Sequence, residues 1–130
     1  MPSPKLPPKD VMPGVRVLRR RAEFLAAARA RRAPMPGLLV QGRARLAPDP
    51  EEGVLRVGFT CSKKIGNAVT RNRAKRRLRA AARAVLPGAG RAGWDYVLVG
   101  KPGATVERPF AALCDDLARA LERLHGEARS

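Results

Sequence analysis

Helix-like and strand-like stretches alternate along the chain. From Arg19 to Arg32 the pattern is helical and rich in Ala. Phe24, Leu25 and Ala27 or Ala28 offer one apolar side, and Pro34 and Pro36 end the segment. Leu38 to Leu46 opens on Leu38-Leu39-Val40 and then alternates with polar residues, which predicts a strand. Val54 to Cys61 predicts another, with Leu55, Val57 and Phe59 on one face. Pro48-Asp49-Pro50-Glu51-Glu52-Gly53 between them is turn chemistry, so an antiparallel hairpin is expected. After Gly66-Asn67 a helix runs to about Leu86, where Pro87-Gly88 and Gly90 stop it. Trp94 to Val99 is apolar nearly throughout and reads as a buried strand. A last helix spans roughly Arg108 to Leu124, with Phe110, Leu113, Leu117, Leu121 and Leu124 on one core-facing side. The order α-β-β-α-β-α predicts an α+β fold, a small mixed sheet packed with helices.

Length and composition narrow this further. At 130 residues the chain has room for one domain. Residues 1–15 carry Pro2, Pro4, Pro7, Pro8 and Pro13 and read as a disordered arm rich in Pro and Lys. The domain is expected over 16–125, with a frayed tail at 126–130. A hydrophobic content of 45% argues against wholesale disorder. No apolar stretch approaches the length of a membrane span, and the N-terminus lacks the apolar run of a secretion signal, so a cytoplasmic protein is expected. Cys61, Cys114 and the single histidine, His125, are too few for a structural zinc site. A Cys–His catalytic pair is formally available. Two small core thiols, with His125 in the tail, is the favoured reading.

Charge changes the picture most. Lys and Arg number 27 against 11 Asp and Glu, a net +16, which implies a polyanionic partner. No acidic residue stands between Glu52 and Asp95, while that window is dense in Lys and Arg. On a helical wheel over 68–86, Ala74, Leu78, Ala81 and Val85 form one stripe. Asn72, Arg76, Arg79 and Arg83 form the opposite stripe, with Arg73 and Lys75 on its flanks. Like charges at these spacings repel, and no Glu is interleaved to relieve them. A membrane surface would want bulkier apolar residues opposite the charges. Nucleic acid fits better, and the predominance of Arg favours bidentate phosphate contacts. The preceding Ser62-Lys63-Lys64-Ile65-Gly66-Asn67 adds two lysines and leads into a helix N-terminus that can hold phosphate.

The run Lys63-Lys64-Ile65-Gly66-Asn67-Ala68-Val69-Thr70-Arg71-Asn72-Arg73-Ala74-Lys75-Arg76 resembles the signature of the bacterial ribonuclease P protein component family, with Arg71-Asn72-Arg73 as its RNR element. Arg20-Arg21-Ala22-Glu23-Phe24 and Asp95-Tyr96-Val97-Leu98-Val99 also look like that family, and the resemblance covers about residues 16–125. It implies a protein subunit of a ribonucleoprotein that removes the 5′ leader of precursor tRNA. The chemistry is carried by a catalytic RNA and by Mg2+ bound mainly to that RNA, with no metal bound by the protein alone. It implies a left-handed βαβ crossover around the RNR helix, an exception to the usual hand. Its partners would be the catalytic RNA and precursor tRNA, with no membrane and no obligate protein partner.

Carried over by position, Lys63, Lys64, Asn67, Arg71, Asn72, Arg73, Lys75, Arg76, Arg79 and Arg83 would bind RNA, with Arg71 nearer the core seam and Arg77 left out. Phe24 would line a leader cleft between the first helix and the sheet, helped by Arg16, Arg20 and Arg43. Ala28 stands where many relatives carry a second aromatic, and strand aromatics are replaced around Val40 and Gln41. With aromatics at only 4%, stacking should contribute less and arginines more. No catalytic residue is expected in the protein. A general RNA-binding or ribosomal protein shares the electrostatics but not the signature. A protein-only nuclease would need an acidic cluster, for which Asp49, Glu51 and Glu52 in a Pro-bounded turn are a poor set.

Overall fold

The computed structural model describes residues 14–46, 49 and 53–126. The first thirteen residues of the expected arm, the last four of the tail and most of the 48–53 turn lie outside the described residues. The elements are β1 (Val15–Val17), α1 (Arg21–Ala28), β2 (Arg31–Pro34), β3 (Leu38–Ala44), β4 (Leu55–Thr60), a 3-10 turn at Lys63–Ile65, α2 (Ala68–Ala89), β5 (Trp94–Gly100), α3 (Ala104–Glu107) and α4 (Phe110–Gly126). They form one five-stranded mixed sheet in the order β1-β4-β5-β3-β2. The α+β class and each of the six expected elements are present, and two short strands join them.

The expected hairpin is not formed. β3 and β4 do not pair, because β5 lies between them, parallel to β4 and antiparallel to β3. The chain leaves β4, crosses by way of α2 and returns as β5. Arg45 then ties the strand ends, donating to the Val54 carbonyl at 2.6 Å and the Trp94 carbonyl at 2.9 Å. The first helix is also shorter than its composition predicts. It ends at Ala28, and Arg31–Pro34 becomes an edge strand on β3. An edge strand tolerates Pro34, which has no N–H to give to a ladder. Val15, placed in the arm by composition, begins β1 and pairs with Leu55.

Two helix ends were misplaced. α2 continues through Pro87 to Ala89, closed by the Gly90 N–H on the Leu86 carbonyl. The last helix does not begin at Arg108. Pro109 forces Arg108 into an extended conformation (ψ 137°), which splits α3 from α4. Phe110 then opens α4 at 42% exposure instead of joining the core.

The helices divide the sheet into two faces. α2 and α4 cover one, where Leu78, Ala81, Ala82 and Leu86 meet Leu113, Leu117, Leu121 and Leu124 over Val40, Val57, Tyr96 and Leu98. α1 covers part of the other, where Leu18, Ala27 and Val97 form a smaller cluster with Phe24 and Val99 beside it. Arg77 is spent on structure, donating to the carbonyls of Thr105 (2.9 Å) and Arg108. Asp116, buried, accepts from the Gly37 N–H at 2.9 Å and pairs with Arg108, which docks the β2–β3 turn on α4.

His125 is the largest surprise in the packing. Expected in a frayed tail, it is buried at the end of α4, with Nε2 2.6 Å from the Tyr96 hydroxyl and its ring edge-on to Trp94 at 4.4 Å. The Tyr96 hydroxyl also accepts the Arg91 N–H. Burial, followed by the nearby Arg91 and Arg31 charges, holds the imidazole pKa down to about 4. The unfolded chain therefore takes up a proton near pH 6.5 that the folded chain refuses until about pH 4. Stability should be intact above pH 7 and fall by up to about 3 kcal/mol as the pH drops through that window. Urea unfolding between pH 7 and 4 should show this slope, and His125→Gln should flatten it. An equal slope in the variant would assign the effect elsewhere.

Candidate nucleic-acid interface

The cationic surface is built around the start of α2. Ser62 accepts the Lys64 N–H at 3.3 Å, which shapes the 3-10 turn and leaves Lys63 and Lys64 exposed. Gly66 turns the chain at φ 146°, a conformation that side chains resist. Asn67 then caps α2, its Oδ1 accepting the Thr70 N–H at 3.0 Å. That oxygen is thus committed to the helix, and the amide nitrogen of Asn67 is what remains for an outside partner.

Along α2 the wheel is reproduced. Ala74, Leu78 and Ala81 are buried with Ala82 and Leu86, and Val85 packs at the margin of the core. Asn72, Arg73, Arg76 and Arg83 are exposed, while Arg71, Lys75 and Arg79 are half-buried. Asn72, Lys75, Arg76 and Arg79 line one shallow groove of about 470 Å3 together with Val69, which is 67% exposed. Sequence reasoning missed Val69. An exposed β-branched residue one turn from Asn72 and Arg73 was its only signal. Lys63, Lys64, Arg71, Arg73, Lys75, Arg76 and Arg83 make no ion pair with any described residue. Arg79 differs: its guanidinium stands over the Phe59 ring, 5.5 Å from the centroid.

The four cleft candidates lie on the opposite face. Strand register places Arg16, Arg56, Asp95 and Arg43 in one row across four strands, on the side that α1 partly covers. Asp95 is fully buried in that row. It accepts from Arg56 at 2.7 and 2.8 Å, from Arg45 at 2.7 Å and from Arg43 at 3.2 Å. Burial alone would raise its pKa. The hydrogen bonds from Arg56 and Arg45 outweigh that and hold the carboxyl below the usual range. Arg43, with its side chain 30% exposed, is therefore an anchored cation. Arg56 also reaches Glu23 at 2.6 Å, and Glu23 accepts the Arg20 N–H at the start of α1, so one guanidinium clamps α1 to the sheet.

Phe24 packs against β4 at Gly58. A Cβ at Gly58 would stand 2.5 Å from two atoms of its ring. Half-buried, Phe24 both packs and keeps part of its ring open. Gly58→Val should dislodge it and cost about 1–3 kcal/mol in urea unfolding, whereas a cost near zero would mean that the ring has room to move. Arg32, exposed on edge strand β2 in the row of Gly58, Val97 and Gln41, belongs to the same surface. It was missed because its segment read as helix. Val40 faces the main core, so only Gln41 of that pair borders the cleft.

Acid–base or nucleophilic chemistry finds little here. Burial pushes up the thiols of Cys61 and Cys114, the reverse of an activated nucleophile. Asp49 is paired with Arg45 at 2.8 Å, and Glu51 and Glu52 lie outside the described residues. Among the described residues no three His, Cys, Asp or Glu side chains gather to hold a metal, and no helix is long and apolar enough to cross a membrane. The two cationic faces on a small α+β scaffold are the surface expected of a protein with a polyanionic partner.

Comparison with known proteins makes this specific. The family model for ribonuclease P matches residues 12–125. The chain is 62% identical over 112 residues to the ribonuclease P protein component of Ruegeria pomeroyi, covering 86% of this chain and 88% of that protein. It is 48% identical over 108 residues to that of Paramagnetospirillum magneticum, covering 82% and 80%. Among solved structures, the RNase P protein from Thermotoga maritima superposes with a TM-score of 0.68 at 26% identity, over 84% of this chain and 97% of that one. The chain belongs to the ribonuclease P protein component family, the accessory protein subunits of a ribonucleoprotein endoribonuclease that acts in tRNA processing.

Proposed function

We propose that the chain binds the catalytic RNA through the Lys63–Arg83 surface and the 5′ leader of precursor tRNA through the cleft between α1 and the sheet. The observation that carries the first half is a surface of seven Lys and Arg residues with no ion pair among the described residues, organised around one groove on α2. A solvated face of that charge density would normally interleave carboxylates. Phosphates of a folded RNA supply the missing counter-charge, and their counterions are released on binding.

The second half rests on the half-open Phe24 ring above Gly58, bordered by Arg16, Arg20 and the anchored Arg43. An unpaired base can stack on Phe24 while its backbone runs along the cationic row. Because the cleft and the α2 surface lie on opposite faces of the sheet, the protein can hold both partners at once. Mg2+ belongs to the RNA in this reading. Ammonium and guanidinium groups with two amides, one of whose oxygens already caps α2, are poor ligands for a hard cation that wants oxygen.

The test is cleavage of precursor tRNA by the cognate catalytic RNA at low magnesium, with and without the chain, plus the chain alone. Stimulation by the chain and no cleavage by the chain alone is the expected result. Tight RNA binding without stimulation would reduce the role to general RNA binding, and cleavage by the chain alone would overturn the reading.

A further inference from the structure

A further cationic feature lies away from the α2 surface and shares Arg43 with the cleft face. A cavity of about 280 Å3 opens at the start of β5, where Gly42, Ala44 and Ala30 form a floor without bulky side chains. β4 and β5 run parallel and the Lys63–Asn67 loop follows the far end of β4, so this cavity is at the opposite end of the sheet. Its walls are the Trp94 indole and the His125 ring, 4.4 Å apart and edge to face. Arg31, Arg43 and Arg91 also line it, Arg43 being held by Asp95. Arg31, exposed as a residue, holds the Leu124 carbonyl with one nitrogen at 2.7 Å, which leaves other N–H donors on the same guanidinium. The Arg91 side chain is exposed and makes no hydrogen bond or ion pair with a described residue; its backbone N–H goes to the Tyr96 hydroxyl and its carbonyl accepts from the Trp94 N–H. Among the buried side chains described, His125 Nδ1 is the polar atom left with no partner, and its ring is part of this wall.

An indole and two guanidinium groups free of acidic partners among the described residues, in a cavity otherwise lined largely by small residues, are the complement of one nucleotide. We propose that this cavity receives a single unpaired nucleotide of RNA, its base against Trp94 and its phosphate between Arg31 and Arg91. The proposal rests on the chain being an RNA-binding subunit and adds a third point of contact. The nucleotide could come from the catalytic RNA or from precursor tRNA, which share this chemistry. The floor limits the site to one residue of a strand, since a paired base could not enter a cavity of this size. Stacking on an aromatic tolerates any base, so the site should register an unstacked position and not a sequence.

Trp94 is the only tryptophan, so its emission reports on this cavity alone. The full chain is titrated with end-labelled catalytic RNA and, separately, with end-labelled precursor tRNA, following label anisotropy and indole emission together. The expected result is quenching of Trp94 that saturates with the anisotropy change for one of the two RNAs, which identifies the source. Arg91→Glu should abolish the quenching and weaken that RNA about fivefold or more. Arg119→Glu, an equal charge change on the exposed side of α4, should leave the quenching intact. An anisotropy change with unaltered indole emission for both RNAs would overturn the proposal while leaving RNA binding standing. No anisotropy change with either would remove the RNA-binding reading and this site with it. Equal loss of quenching in both variants would mean that bulk charge, and not the cavity, is responsible.

Discussion

Asp95→Ala is expected to cost about 3–5 kcal/mol of folding stability, a large part of the total for a domain of this size. The carboxylate is fully buried and accepts from Arg43, Arg45 and Arg56, which come from three positions on two strands and the loop after β3. Removing it leaves three guanidinium groups close together, with Glu23 and Asp49 nearby to offset them among the described residues. Their mutual repulsion would open the row that joins β4, β5 and β3 and would loosen the Glu23–Arg56 clamp on α1. Thermal or urea unfolding at pH 7 gives the magnitude. Asp95→Asn should fall between wild type and Ala, because an amide keeps an acceptor and loses the charge. A cost below about 1 kcal/mol for Ala would mean that the arginines relax into solvent and that the network is not central. The pH dependence follows from the lowered carboxyl pKa: this contribution is present above pH 4 and is lost as the pH falls through the folded-state value. It therefore lies below the window assigned to His125.

What was legible in the sequence divides along physical lines. The α2 wheel was readable because helical period and segregated charge are local properties, and burial of Ala74, Leu78 and Ala81 follows directly. Even the exclusion of Arg77 was readable, since its angle put it by the core seam, and it caps α3 and the start of α4 through two carbonyls. Strand partners were not. A ten-residue gap between β3 and β4 suits a hairpin, and nothing local tells a chain that β5 will be inserted there from later in the sequence. β1 and β2 are three and four residues long and exist through their neighbours, so the Ala- and Arg-rich context of β2 read as helix. The Asp95 network was hidden for the same reason. Arg16, Arg43 and Arg56 become one row only when the register is known, and with it Arg43 changes from a free cation to an anchored one. His125 was misjudged by position alone: one residue from the described end, it is buried because α4 continues past Leu124 and sets its ring against Tyr96 and Trp94.

The α2 surface carries the second large effect. Replacing Arg73 and Arg76 together with Ala should weaken binding to the catalytic RNA by about ten- to a hundredfold at moderate salt, with each lost phosphate contact lowering the log–log salt slope by ~0.7–0.9. This pair is cleaner than one including Arg79. Both side chains are exposed on the helix surface and make no ion pair among the described residues, so their truncation costs little folding energy. Arg79 lies on Phe59 beside Cys61, so its loss would mix packing with binding. Affinity measured across a series of salt concentrations separates the two roles that an arginine can play here. A lower affinity with a shallower slope means backbone phosphates, whereas a lower affinity with an unchanged slope means contacts to bases or sugars. An unchanged affinity would show that the RNR helix does not face the RNA. The half-buried Arg71 then serves as an internal comparison. Arg71→Ala should lower stability and affinity together, because the side chain is half-buried near the core seam yet its charge has no ionic partner among the described residues. A pure loss of affinity at unchanged stability would move Arg71 fully into the interface.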